Sequence, residues 1–123
     1  MCIFVFGSNL RGVHGKGAAL TARKKYGAVY GQGEGLQGRS YAIPTKDYDL
    51  RPLPLEDVNL RVLDFLHFAR HHPGMKFNVT RIGCGLAGYV EDQIAPMFKG
   101  ATHNVRLPRG WKTLTEQSSG SSS

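Results

Sequence analysis

A glycine-rich segment near the start of the chain has the composition of a phosphate-binding loop. Gly7-Ser8-Asn9 follows an apolar run, and glycine recurs at Gly12, Gly15 and Gly17. Glycines allow backbone N–H groups to approach phosphate oxygens, and the N-terminus of a following helix adds a favourable dipole. The spacing matches neither the dinucleotide-binding fingerprint nor a P-loop. The segment therefore predicts either an anion-binding loop or a tight strand-to-helix turn.

A second glycine-rich turn, Gly83-Cys84-Gly85-Leu86-Ala87-Gly88, allows the same two interpretations. Cys84 is a candidate nucleophile, because a helix N-terminus can lower the pKa of a thiol. No histidine lies near it in sequence, and a buried cysteine between glycines is usually a small core residue. We therefore expect ligand contacts from this turn rather than covalent chemistry.

Lys46 lies just after a short predicted strand, Ser40 to Pro44, and is the side chain best placed for chemistry. A lysine there is a counter-charge for phosphate or, when desolvated, a nucleophile towards a sugar carbon. The alternative is a solvated lysine paired with Asp47. His14 is a candidate acid or base, although a histidine in a loop is more often simply exposed.

The elements that position these residues alternate between strand and helix. Predicted strands cover residues 2–6, 40–44, 77–82 and 103–107. Predicted helices cover residues 16–26, 55–71 and, in a short piece limited by Pro96, 91–99. The glycine-rich stretch 31–38 forms no stable element on its own. Such alternation predicts an α/β fold whose mostly parallel sheet is covered on both faces.

The three candidate loops all follow predicted strands. They are Gly7–Gly17, Thr45–Asp47 and Gly83–Gly88. In open α/β sheets, ligands bind outside the carboxyl ends of the strands. The sequence therefore predicts that these loops converge on one rim and form one site there.

The 123 residues fit one domain, predicted over 1–112, with a flexible Ser/Gly-rich tail over 113–123. A net charge of +7 points to an anionic partner, either a phosphate-bearing small molecule or a nucleic-acid backbone. The two cysteines form neither a disulfide framework nor a zinc motif, and no signal peptide or membrane-spanning run is recognisable. We expect a cytoplasmic monomer without metal, cofactor or membrane contact.

Three motifs in this sequence occur in the order found in one known family. They are Gly15-Lys16-Gly17-Ala18-Ala19 with Lys24-Lys25-Tyr26-Gly27, then Tyr41 to Lys46, then Arg81 to Leu86. They resemble the Gly-x-Gly-x-Ala…Lys-Lys-Phe-Gly run, the Tyr-Tyr-Leu-x-Thr-Lys strand and the Arg-Ile-Gly-Cys-Gly-Leu loop of certain macro domains. These are the terminal ADP-ribose glycohydrolases and the antitoxins that remove ADP-ribose from DNA. The resemblance covers most of residues 2–107 and implies a three-layer α/β/α sandwich that binds ADP-ribose, with Lys46 as its catalytic lysine.

The sequence departs from that family in two respects. The resemblance begins at the family's second strand, so the preceding strand, whose acidic residue usually recognises adenine, is absent. The family's catalytic aspartate follows Gly-Leu directly, and Ala87 stands at that position. Asp47, Glu91 and Asp92 are the carboxylates left to assist Lys46. The resemblance therefore implies binding more firmly than turnover.

The leading hypothesis is a hydrolase that removes ADP-ribose from a protein or nucleic-acid acceptor through Lys46, with His14 and Asp47 as further catalytic candidates. One alternative is a non-catalytic module that binds ADP-ribose or a related nucleotide. Another is a domain that binds nucleic acid weakly through Arg11, Lys16 and residues 23–25. The predicted ligand contacts are Gly7, Ser8, Asn9, Gly15, Lys16, Gly17, Gly83, Cys84, Gly85, Leu86, Ala87, Gly88 and Tyr89.

Overall fold

A computed structural model describes residues 2–85 and 87–120 of the chain. Its strands are β1 (Cys2–Asn9), β2 (Gly35–Gln37), β3 (Ser40–Lys46), β4 (Lys76–Val79) and β5 (Val105–Arg106). Its helices are α1 (Gly17–Lys25), α2 (Leu55–Arg70), α3 (Glu91–Ile94), which continues as a 3₁₀ helix over Ala95–Phe98, and α4 (Trp111–Gly120). Strands and helices alternate as the sequence predicts, except that β2 and β3 follow each other with no helix between them.

The strands form one sheet in the order β2-β3-β1-β4-β5. Strand β1 pairs in parallel with β3 on one side and with β4 on the other, and β4 pairs in parallel with β5. Strand β2 pairs with β3 in the antiparallel sense. The predicted mixed, mostly parallel sheet is thus confirmed, and β1 is its central strand.

Alternate residues of the central strands face two different helical layers. Ile3 and Val5 of β1 join the larger core, which α2, the 3₁₀ helix and α4 cover. Phe6 joins a smaller core on the opposite face, where Ala19 and Ala22 of α1 pack. Because alanine side chains are short, α1 lies close to the sheet. The result is the expected three-layer α/β/α sandwich.

Helix α2 packs one apolar stripe against the sheet. Its buried side chains recur at helical spacing and are Val58, Val62, Phe65, Leu66 and Ala69. Glu56 and Asp57 in the first turn and Arg70 in the last turn complement the helix dipole. The 16 residues of α2 agree with the prediction to within one residue at the C-terminal end. None of the helices in the described ranges is both long and apolar enough to cross a membrane.

The glycine-rich stretch 31–38 contains a strand that the sequence does not predict. Leu36 of β2 pairs with Tyr41 across the edge of the sheet. The buried Gln37 side chain accepts a hydrogen bond from the Val29 N–H at 2.8 Å and donates one to the Gln32 carbonyl at 3.0 Å. Pairing with β3 and this amide stabilise a segment that has little intrinsic propensity for structure.

The C-terminal segment also differs from the expectation. Residues 113–120 belong to α4 rather than to a flexible tail, and residues 121–123 lie outside the described ranges. Trp111 is fully buried, and its ring centroid lies 5.6 Å from that of Phe98. The Thr115 hydroxyl donates a hydrogen bond to the Ala95 carbonyl at 3.0 Å. Burial of one large aromatic side chain therefore outweighs the low helix propensity of the serines and glycine that follow.

Removal of the Trp111 side chain tests this arrangement. We expect Trp111→Ala to lower the free energy of unfolding by about 3–5 kcal/mol, because it leaves a large cavity beneath α4. Lys112→Ala is the control, since Lys112 is the next residue and is exposed. Urea denaturation followed by circular dichroism measures both variants. Equal stability of Trp111→Ala and the wild-type protein would contradict the docking of α4.

Candidate ligand-binding site

A cavity of about 560 Å³ opens at the carboxyl ends of β1, β3 and β4. The residues that line it come from three segments, and they lie between Gly7 and Ala19, between Thr45 and Leu50, and between Thr80 and Ala87. These are the three loops that the sequence predicts to converge, each at the end of a parallel strand. The cavity has the volume and position that are typical of a small-molecule site in an α/β protein.

The first loop is held by its own side chains and by close backbone packing. The Asn9 amide donates to the Val13 carbonyl at 2.9 Å, and its oxygen accepts from the Val13 N–H at 3.0 Å. A Cβ added to Gly33 would lie 2.1 Å from the Asn9 carbonyl oxygen, and one added to Gly12 would lie 2.3 Å from the Gly31 carbonyl carbon. Glycine is therefore required where the stretch 31–33 supports this loop.

The N-terminus of α1 faces the same cavity. Gly17, Ala18 and Ala19 of its first turn line the wall. Lys16 occupies the N-cap position, no side chain caps the helix, and no acidic residue lies in the first turn. The first N–H groups of a helix have no intrahelical partner, and with the positive dipole end they attract an anion.

An irregularity in the pairing of β1 with β3 determines the position of Lys46. Ser8 pairs with Pro44, but Asn9 pairs with Lys46, so Thr45 is an extra residue in β3. The Thr45 hydroxyl donates to the Ser8 carbonyl at 3.3 Å. A bulge of this kind redirects the side chains that follow it. Lys46 is half-buried in the cavity wall.

The third loop packs tightly against the first. A Cβ added to Gly7 would lie 3.3 Å from the Gly83 nitrogen, and Gly83 itself has a φ of +73° and abuts the Tyr89 ring. Gly85 differs, since a Cβ there would meet nothing within 4 Å. Gly7 and Gly83 thus serve the contact between loops, whereas Gly85 leaves space open in the cavity.

The structure brings together most, but not all, of the predicted ligand contacts. Those that line the cavity are Gly7, Ser8, Asn9, Gly15, Lys16, Gly17, Gly83, Gly85 and Ala87, together with Lys46. Those outside the lining are Cys84, Gly88 and Tyr89. Leu86 lies outside the described residues. The sequence prediction misses eight lining residues. Five of them lie inside the motifs shared with macro domains: Ala18, Ala19, Thr45, Arg81 and Ile82. The other three are Val13, Leu50 and Thr80.

Cys84 and Tyr89 pack on the larger core instead of facing the cavity. Burial raises the pKa of the Cys84 thiol, and the nearby Arg81 cation only partly opposes that shift. Burial also raises the pKa of Tyr89, with a smaller contribution from Asp57. In this structure both side chains pack on the core, and their role as ligand contacts stays a prediction.

His14 contacts Ser8, which lines the cavity, but His14 itself does not line it. It is fully buried, with its ring edge-on to Phe6. Its Nε2 is 3.5 Å from the Ser8 Oγ, and within the described ranges Nδ1 has no hydrogen-bond partner. Burial and, secondarily, the Arg23 cation lower the pKa of His14, although the Gln32 backbone opposes this shift. The structure thus places His14 in the packing of the first loop, away from the cavity, and its catalytic role stays a prediction.

The Asp47 carboxylate also lies away from the cavity, because it forms hydrogen bonds within its own turn. It accepts hydrogen bonds from the backbone N–H groups of Asp49 at 2.8 Å and Arg51 at 3.0 Å. It does not line the cavity. In the described part of the chain the ion pairs are Arg61–Glu34 and Arg81–Glu91, so the alternative of a Lys46–Asp47 pair is wrong.

The charged side chains of the cavity wall are all cationic. Lys16, Lys46 and Arg81 line it, and no carboxylate does so within residues 2–85 and 87–120. Glu91 is held away from the cavity, because its carboxylate accepts hydrogen bonds from Arg81 and from the Trp111 indole. The same described ranges contain no cluster of His, Cys, Asp and Glu that could hold a metal ion. The wall therefore favours an anionic ligand and offers no acid–base carboxylate.

Comparison with solved structures identifies the architecture. The macrodomain of Mycobacterium tuberculosis DarG aligns with a TM-score of 0.63 at 22% identity, over 85% of this chain and 86% of that one. A protein of unknown function from Bacteroides thetaiotaomicron aligns with a TM-score of 0.59 at 19% identity, over 87% of each chain. The chain has the macro-domain fold. Thermosipho africanus DarTG, solved in complex with ADP-ribose, aligns with a TM-score of 0.58 at 17% identity, over 86% of this chain and 38% of that one.

Comparison of sequences adds little to what the structural comparison shows. No family model matches the chain. One component of the NADH-quinone oxidoreductase of Rhizobium etli is 35% identical over 52 residues, which are 42% of this chain and 26% of that protein. Because this chain matches only about a quarter of that protein, the likeness carries neither a fold nor a function.

The position of Cys84 leads to a test with an alkylating reagent. Because burial raises its pKa, Cys84 carries less thiolate near neutral pH, and we expect iodoacetamide to modify it more slowly than the exposed Cys2. The rate at Cys84 should still increase above the ordinary thiol pKa of about 8.5. Mass spectrometry of peptides sampled over time measures both sites. Faster alkylation of Cys84 than of Cys2 at pH 7 would restore the nucleophile hypothesis.

Proposed function

We propose that the chain binds ADP-ribose in this cavity and, through Lys46, slowly removes ADP-ribose from a protein or nucleic-acid acceptor. The observation that carries the proposal is the composition of the cavity wall. The uncapped N-terminus of α1, Lys16 and Lys46 line the cavity, and no carboxylate among the described residues does so. The macro-domain fold supports the choice of ligand, and DarTG of that fold was solved with ADP-ribose.

The binding part of the proposal rests on complementarity of charge and shape. A diphosphate needs backbone N–H donors and cations, and the first loop and the start of α1 offer both. The open space beside Gly85 and Gly15 allows a ligand to approach the backbone closely, since a Cβ at either position would meet nothing within 4 Å.

The catalytic part rests on Lys46. An unprotonated Nζ would attack the anomeric carbon of the ribose, the bond from that carbon to the acceptor would break, and the acceptor would leave with the electron pair and take up a proton. Water would then release ADP-ribose and regenerate the amine. General acid–base assistance is typically worth ~10²–10⁴-fold, so turnover without a carboxylate should be slow.

A non-catalytic ADP-ribose-binding module is the second candidate. It is favoured by one observation: Ala87, at the position of the family's aspartate, lines the cavity with no carboxylate beside it in the described ranges. A nucleic-acid-binding domain remains a prediction from the sequence, supported by exposed cations in the last turn of α1. An unmodified oligonucleotide therefore serves as a comparison ligand in the experiments below.

Isothermal titration with ADP-ribose tests binding. We expect a dissociation constant of order micromolar for the wild-type protein. Gly85→Val should weaken binding by about 100-fold or more, ~2.8 kcal/mol, because its side chain fills the space that the ligand needs. Gly74→Val is the matched control, since a Cβ there also meets nothing within 4 Å but lies outside this cavity.

Two outcomes would contradict the binding proposal. One is the absence of heat and of a thermal shift with millimolar ADP-ribose. The other is full affinity in a Gly85→Val variant whose circular-dichroism spectrum is unchanged, which would move the ligand away from this wall. Tight, salt-resistant binding of the unmodified oligonucleotide would instead favour the nucleic-acid-binding function.

Release of ADP-ribose from modified substrates tests turnover. ADP-ribosylated protein and DNA are incubated with wild type, Lys46→Ala and Lys99→Ala, and free ADP-ribose is followed by mass spectrometry. We expect slow release by wild type and by Lys99→Ala, whose exposed lysine lies outside the cavity, and none by Lys46→Ala. Affinity for ADP-ribose should fall by less than about tenfold in Lys46→Ala, because the loops supply most contacts.

The outcomes separate the two candidate functions. Wild type that binds ADP-ribose but releases none above the buffer control is a binding module. Equal release by wild type and Lys46→Ala would mean that another group performs the chemistry.

A further inference from the structure

The turn that follows Lys46 is closed by a set of hydrogen bonds centred on Asp47. The Asp47 N–H donates to the Arg51 carbonyl at 2.8 Å, and the Leu50 N–H donates to the Asp47 carbonyl at 3.1 Å. The Asp47 carboxylate accepts from two further N–H groups of the turn. An antiparallel bridge between Lys46 and Pro52 closes the base of the turn. The backbone of residues 47–51 is therefore firmly held.

Within this turn, Leu50 has an unfavourable backbone conformation. Its φ is +63°, and in the described part of the chain it is the one residue other than glycine with a positive φ. Leucine is strained there, because its Cβ approaches the backbone, whereas glycine and asparagine adopt the same conformation readily. The fold itself does not require a leucine at a turn position that either of those residues would satisfy.

Burial in the core does not compensate for this strain. Leu50 is 39% exposed and lies outside both hydrophobic clusters. It lines the cavity on the same segment as Lys46. Strained residues that the surrounding structure holds in place occur disproportionately at ligand-binding sites. Other apolar side chains, such as Val13 and Ile82, lie on the first and third segments of the wall, whereas Leu50 lies on the segment of Lys46. There it would contact the C–H groups of a ligand rather than its phosphate oxygens.

We propose that Leu50 is a specificity-determining residue, which the Asp47 turn holds in a strained conformation so that it packs against the sugar ring next to Lys46. The inference rests on the proposed function in one respect, since it takes that ring to be the ribose beyond the diphosphate of ADP-ribose. Leu50 selects ligands that carry this ribose over nucleotides that end at the diphosphate.

The experiment compares ADP-ribose with ADP as titration ligands for wild type, Leu50→Asn and Leu50→Gly. Both substitutions relieve the strain that the positive φ causes in leucine, and both remove the apolar contact with the ligand. We expect affinity for ADP-ribose to fall about five- to tenfold, as for loss of a partly buried apolar side chain, and affinity for ADP to change less than about twofold. The melting temperature should stay level or increase in Leu50→Asn. Leu60→Asn, on the exposed face of α2, is the control and should keep wild-type affinity for both ligands.

Each contrary result identifies what fails. Wild-type affinity for both ligands in the two Leu50 variants would overturn the role of Leu50 and leave the proposed function intact. Equal losses for ADP and ADP-ribose would overturn selection of the ribose, and a lower melting temperature with unchanged affinity would make Leu50 a packing residue. If wild type binds neither ligand, the proposed function and this inference are both wrong.

Discussion

Backbone packing between two glycine-containing segments holds the first loop of the cavity, and the rest of the site depends on it. The Gly31 N–H donates to the Gly12 carbonyl at 2.8 Å, and Gly33 lies against the Asn9 carbonyl at a distance that admits no Cβ. Contact of this kind uses no side chain of the cavity wall. The glycines thus have two separate purposes: some allow the backbones to meet, and others, such as Gly85, leave space where a ligand would lie.

The cations around the cavity also have two separate roles, one structural and one in binding. Arg81 reaches the wall, but Glu91 and the Arg109 carbonyl bind its guanidinium, and Glu91 also binds the Trp111 indole. Lys16 and Lys46 belong to no ion pair among the described residues. One cation therefore links the wall to the C-terminal helix, whereas the two lysines keep their charge available for an anion. A site built in this way suits retention of a phosphate-bearing ligand better than rapid proton transfer.

The sequence predicts those parts of the fold that local patterns determine. The apolar run that becomes β1 and the amphipathic stripe of α2 are recognisable without tertiary information, and the rule for parallel sheets predicts the common rim of three loops. Features that arise from tertiary contacts are missed: β2 exists because β3 pairs with it, and α4 exists because Trp111 is buried. The burial of His14 is of the same kind, since no neighbouring residue in sequence indicates that its loop folds over the ring.

The position of β1 at the centre of the sheet has a consequence for the order in which the protein assembles. Cys2 pairs with Lys76, and the α4 side of the core closes only when Trp111 is available. Contacts between residues so distant in sequence carry a large loop-closure entropy and slow the folding of parallel sheets. During synthesis on the ribosome, β1 is made before β4, so one edge of β1 stays unpaired until residues 76–79 have emerged.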